Sequence, residues 1–198
     1  MERVKAFAIA AGCVLVIAST LVFAADSMKI DTSYNTDRER RTKAELEKIV
    51  ASYDLNKYVF TRKVVIEEKA MNHAFPTLTL NVRFLHSDDE LLSSFLHEQL
   101  HWYLRGHSRQ MEDAVGQLKR FYPHVPVGLS EGADTEYSTY GHLVDCYLEI
   151  QADRALIGRE RTDAVIRKKP WYLWIYKTEI DDEPRIAAVV KAQRLDIP

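Results

Sequence analysis

Cysteine is nearly absent from this chain of 198 residues: Cys13 and Cys146 are the only two. Cys13 falls inside an apolar N-terminal segment that reads as an export signal, which leaves one thiol for the remainder and excludes an internal disulfide. The fold must then be held by an apolar core, and about 170 residues are enough to build one. Cys146 itself reads as a small buried apolar residue. Glycine and proline are scarce as well, at 7 and 6. No repeat or low-complexity tract is visible, which leaves one ordinary globular domain. Neither sign of charge predominates: 27 Lys and Arg against 29 Asp and Glu give a net charge of −2. The basic clusters at 38–41 and 167–169 are flanked by acids or helix signals, so no nucleic-acid partner is expected.

Long apolar runs are missing everywhere except at the start. Met1 to Lys5 supplies a basic opening, 6–23 is apolar, and Val22-Phe23-Ala24 has the small-residue pattern of a cleavage site before Asp26. This predicts a signal peptide over 1–24 and a domain over 25–198 that is exported, either periplasmic or secreted. An uncleaved anchor over 6–23 is the alternative, long enough for the ~30 Å core of a bilayer. In that case the N-terminal segment is the only membrane contact.

What the chain does contain is His97-Glu98-Gln99-Leu100-His101, followed at once by Trp102. Leu91, Leu92, Phe95, Leu96, Leu100, Tyr103 and Leu104 recur at helical intervals around it, predicting a helix over 88–104. Histidines four apart on a helix share a face, so both imidazoles can hold one metal ion. Glu98 can reach a water on that metal and take its proton.

A second helix is predicted over 140–158, with Leu143, Val144, Tyr147, Leu148, Ala152, Ala155 and Leu156 as apolar members and Gly158 as its stop. His142, Asp145, Cys146, Glu149 and Asp153 project along one side of it. A stripe of ionisable groups between apolar flanks fits the lining of a metal site. Glu149 suits a third ligand, since His, His and Glu form a catalytic zinc set with the fourth position left to water. Asp153, one turn on, can receive the free ring N–H of a ligating histidine. His142 competes with Glu149. Two turns earlier on the same side, it is either the third ligand itself or a catalytic group that stabilises the oxyanion.

Glu149-Ile150-Gln151-Ala152-Asp153 resembles the glutamate-x-x-alanine-aspartate signature of the zinc endopeptidases that include the CAAX prenyl endopeptidase and bacterial quality-control proteases. His97 to Trp102 is similar to that family's first motif. The resemblance implies Zn2+ bound by His97, His101 and Glu149, with Glu98 as general base and Asp153 as support. It covers only two short segments, and Leu156 stands where that family tends to show alanine.

The rest of the chain predicts a helix from Asn35 or Thr36 to about 53, strands over 58–67 and 77–84, a helix over 108–121, and a strand over 171–178. A last helix follows Asp182. Alternation in 77–84 puts Thr79, Asn81 and Arg83 on one face, as in an edge strand that pairs with an extended peptide. The segment 122–141 reads as a long loop over the cleft, with His124, Tyr137 and Tyr140 as candidate helpers of a tetrahedral intermediate. The expected fold class is α+β and zincin-like: a small, mostly antiparallel sheet packed on the metal-carrying helices. The expected function is a zinc metallopeptidase acting on a peptide or protein substrate. The alternative is a non-catalytic exported metal-binding or chaperone-like module with a closed site.

Overall fold

Capping chemistry sets the first helix. The Thr36 side chain accepts the Glu39 N–H, and the Glu39 carboxylate returns to the Thr36 N–H, opening α1 (Asp37–Ser52). The structure, a computed structural model, describes residues 28–197; the expected export signal over 1–24 and the alternative anchor over 6–23 lie outside them. Among the described residues no helix is long and apolar enough to cross a membrane.

α1 connects β1 (Lys29–Thr32) to β2 (Lys63–Ile66), and β3 (Leu78–Leu80) follows, giving a sheet in the order β1-β2-β3. Both pairs are parallel, with Lys29 opposite Lys63 and Val64 opposite Leu78. The expectation of a mostly antiparallel sheet is therefore wrong. A helical crossover returns the chain to the same end of the sheet, so β2 must run with β1. The uninterrupted Val64-Val65-Ile66 run suits strands covered on both faces. β3 is at the sheet edge but is not open to a peptide. Thr79 exchanges backbone hydrogen bonds with His73, and the Asn72 side chain takes the Asn81 N–H.

Beyond the sheet the chain is helical: α2 (Asp88–Arg105), α3 (Ser108–Phe121), α4 (Glu136–Ile157), α5 (Arg159–Ile166), α6 (Leu173–Asp181) and α7 (Glu183–Ala192). The strand expected over 171–178 is the helix α6, because Ile175, Tyr176 and Glu179 recur at helical spacing and are buried. Gly158 does end α4, at φ 81°, where a side chain would strain the backbone. α5 then starts at the next residue.

Two apolar clusters share α2 and α4. Leu91, Leu92, Phe95 and Leu96 pack with the sheet, while Leu100 and Leu104 pack with α3, α6 and α7. His97 stands at the changeover. Gln99 and Trp102, from the same motif, fasten α2. The Gln99 side chain accepts the N–H groups of Phe60 and Thr61 and donates to the Thr61 carbonyl, each at 2.8 Å. The Trp102 indole N–H donates to the Ala74 carbonyl at 2.9 Å.

Glu39 offers a test of how the sheet is joined to α1. Burial alone raises its pKa, but N–H groups of Glu68, Tyr34 and Thr36 outweigh that and hold the carboxyl below its ordinary value. A depressed carboxylate stabilises the fold above the unfolded pKa and ceases to do so as pH falls through the folded one. Glu39→Gln is expected to lose about 2 kcal/mol in urea unfolding at pH 7. That gap should close as the pH is lowered below about 4.

Candidate metal centre

α2 and α4 pack antiparallel, so residues ascending one helix meet residues descending the other. Ser93 meets Glu149, His97 meets Glu149 and Asp145, and His101 meets Asp145. The His142 ring lies 5.6 Å from that of His97 and 5.1 Å from that of His101, and the latter two rings are 4.8 Å apart. One ring nitrogen from each of the three falls within 4.8 Å of the others. Three imidazoles thus converge on one point from two helices.

Acceptors stand behind the rings. His97 Nδ1 is 3.0 Å from Glu149 Oε2 and 2.9 Å from Asp145 Oδ2, and His101 Nδ1 is 3.8 Å from Asp145 Oδ1. His142 Nδ1 donates to the Ser138 carbonyl at 2.8 Å. In neutral His97 and His142 these Nδ1 contacts leave Nε2 with its lone pair, the arrangement found around ligating histidines. Asp145 adds a second sign of fit to a cation. It is fully buried, and neither oxygen has a well-directed hydrogen bond, although His97 Nδ1 is close. A carboxylate orphaned beside three imidazoles is expensive without a positive charge nearby. The residues present therefore fit a metal.

The histidines respond differently to this setting. Burial and the neighbouring rings push His142 down to about 4, and burial lowers His101. Burial disfavours charge on His97 too, but Asp145 and then its hydrogen-bond partners outweigh it and raise that pKa well above the ordinary value. Burial pushes Glu98 up to about 7. His97 and Glu98 line a common cavity, and the Tyr172 ring lies 4.4 Å from His142 at its edge. Tyr172 occupies the left-handed region at φ 60°, a strained start for α6 that holds this ring against the site.

Glu149 sits on the other side of His97. Its oxygens accept from Ser93 at 2.6 Å, Lys169 at 2.6 Å, Tyr176 at 2.7 Å and His97. Burial would raise its pKa, but the Lys169 ammonium holds it well below the carboxylate range. With Cys146 it forms a second, fully buried set around His97. Burial pushes the Cys146 thiol up to about 12. Asp153 lies among Ser93, Glu149 and Lys169, and burial raises its carboxyl to about 8. Asp145, not Asp153, is the aspartate at the ring nitrogens.

The loop helpers do not assemble. Tyr137 and Tyr140 belong to α4, and the buried Tyr140 hydroxyl is bound to the Tyr122 carbonyl. His124 is exposed. Lys169, Tyr172 and Tyr176 were invisible as site residues, since nothing in their spacing points to α4. No family model, curated protein or solved structure matches the chain.

The Lys169–Glu149 pair is buried at the heart of this arrangement. Lys169→Met leaves Glu149 uncompensated and should cost about 3–5 kcal/mol in denaturant unfolding. Adding Glu149→Leu removes the stranded charge, so the double variant should recover much of that loss. Equal losses in the single and double variants would show that the pair does not act as a unit.

Proposed function

We propose that the chain is a metal-dependent hydrolase, with His97, His101 and His142 holding the ion and Glu98 as general base. The carrying observation is the convergence of three imidazoles, two of them with Nδ1 on an acceptor, next to a cavity that also contains Glu98. Asp145 and Glu149 orient His97, and Asp145 also backs His101. The Ser138 carbonyl orients His142. This reading prefers His142 to Glu149 as third ligand, because Lys169, Tyr176 and Ser93 already occupy the Glu149 carboxylate.

An all-nitrogen set suits zinc, copper, nickel or iron, and zinc is the choice for a hydrolase that leaves one position open. An ion held there supplies Lewis acidity, polarising a carbonyl and acidifying water. The chain's own groups handle the proton. Glu98 takes it from the attacking water as the acyl carbon gains OH, and returns it to the departing nitrogen as the C–N bond breaks. The cavity walls keep bulk water away from Glu98, and Tyr172 confines the reacting groups against His142.

Peptide or protein is the proposed substrate class, supported by the likeness of His97 to Trp102 to zinc endopeptidases. Export is proposed from the N-terminal segment alone. The competing metal-binding or chaperone-like reading needs a fourth protein ligand that closes the site.

Glu98→Gln should keep one zinc per chain in elemental analysis and lose roughly 10²-fold or more of kcat on a peptide library. Full activity in that variant would refute the role of Glu98. In zinc titrations His142→Ala should abolish stoichiometric binding, while Cys146→Ser leaves it intact. Loss of binding in Cys146→Ser alone would transfer the metal to the inner set.

A further inference from the structure

The cavity beside the imidazoles encloses about 100 Å³ and is bounded by Phe84, Leu129 and Trp171, with Asn72, Asn81 and Arg83 as polar members. Two of these polar side chains are anchored by backbone. Asn72 Oδ1 accepts the Asn81 N–H and Asn81 Oδ1 accepts the Arg83 N–H, both at 2.8 Å. Each amide oxygen is thus engaged by backbone, and each side chain also carries an NH2 donor. Arg83 has its guanidinium carbon 5.9 Å from the centre of the Trp171 ring and forms no ion pair among the described residues. The remaining cation of the cavity, Lys169, is engaged by Glu149.

The cavity therefore presents hydrogen-bond donors, one fixed positive charge and an aromatic wall, while its negative group, Glu98, stands with His97. A guanidinium matches the two oxygens of a carboxylate, and stacking on an indole restricts its motion. We infer that this cavity is the substrate pocket and that Arg83, aided by Asn72 and Asn81, recognises a substrate carboxylate. The inference rests on the hydrolase reading above for its link to catalysis, though not for binding. The carboxylate can belong to an acidic side chain or to the free C-terminus of a peptide.

Equilibrium binding to the full, zinc-loaded protein tests this with peptide pairs. One set carries a single Glu or Gln moved along an end-blocked peptide; a second pairs the free C-terminus with its amide. At least one carboxylate member should bind about tenfold tighter than its neutral twin. Which set shows the preference identifies the source. Arg83→Gln should bring that ratio to near one, and Arg83→Glu should turn the preference toward Lys-containing peptides. Arg83 is exposed, so neither change threatens the fold. Ratios near one in both sets, or a ratio that survives Arg83→Gln, would overturn the inference. An Arg83-dependent preference without any cleavage would sink the hydrolase reading and leave the pocket standing. Cleavage without preference would do the reverse.

Discussion

The structure depends on burying carboxylates between two otherwise apolar helices. Asp145, Glu149 and Asp153 all lie on α4 with almost no exposure, and Glu98 faces them from α2. Unpaired charges in such a place would each disfavour the fold by several kcal/mol. The molecule answers in three ways. His97 and Lys169 bring positive charge to Asp145 and Glu149, Ser93 and Tyr176 donate hydrogen bonds, and Asp153 keeps its proton. A metal at the three imidazoles would add further positive charge beside Asp145. Packing, electrostatics and ligand geometry are thus parts of one solution at the α2–α4 contact.

The residues around the histidine pair also serve precision. Gln99 stitches α2 to the segment before β2, and Trp102 ties it to the loop before β3, with the Phe75 ring 4.9 Å from the indole. These bonds fix the helix that carries His97, Glu98 and His101. That same loop region supplies Asn72 to the cavity, so sheet, cavity and α2 form one continuous surround. Rigid placement is what general base catalysis requires, because small displacements of the base are costly.

Much of this was legible in residue spacing, and the failures have definite causes. The leucines of 88–104 gave α2 nearly to its end, and the choice of Asn35 or Thr36 as cap bracketed the start of α1. The stripe on α4 named the right side of that helix. It could not decide between His142 and Glu149, which share a face but stand about 10 Å apart along the axis. The choice depends on how far the two antiparallel helices slide past one another, and periodicity does not encode that. Alternation in 77–84 suggested a half-exposed antiparallel strand, yet Thr79 and Asn81 are buried by the 71–73 segment folding back over the edge. Aromatic residues in 171–178 suggested a strand, and tertiary packing of Ile175 and Tyr176 made a helix instead. Lys169, the partner of Glu149, comes from a turn with no signal of its own.

The central claim is that His97, His101 and His142 bind one metal while Glu149 and Cys146 stay outside its shell. X-ray absorption at the zinc edge of the loaded protein tests this directly. The account expects three imidazole nitrogens at about 2.0–2.1 Å with a light-atom fourth neighbour. Sulfur at about 2.3 Å, or fewer than three imidazoles, would contradict it.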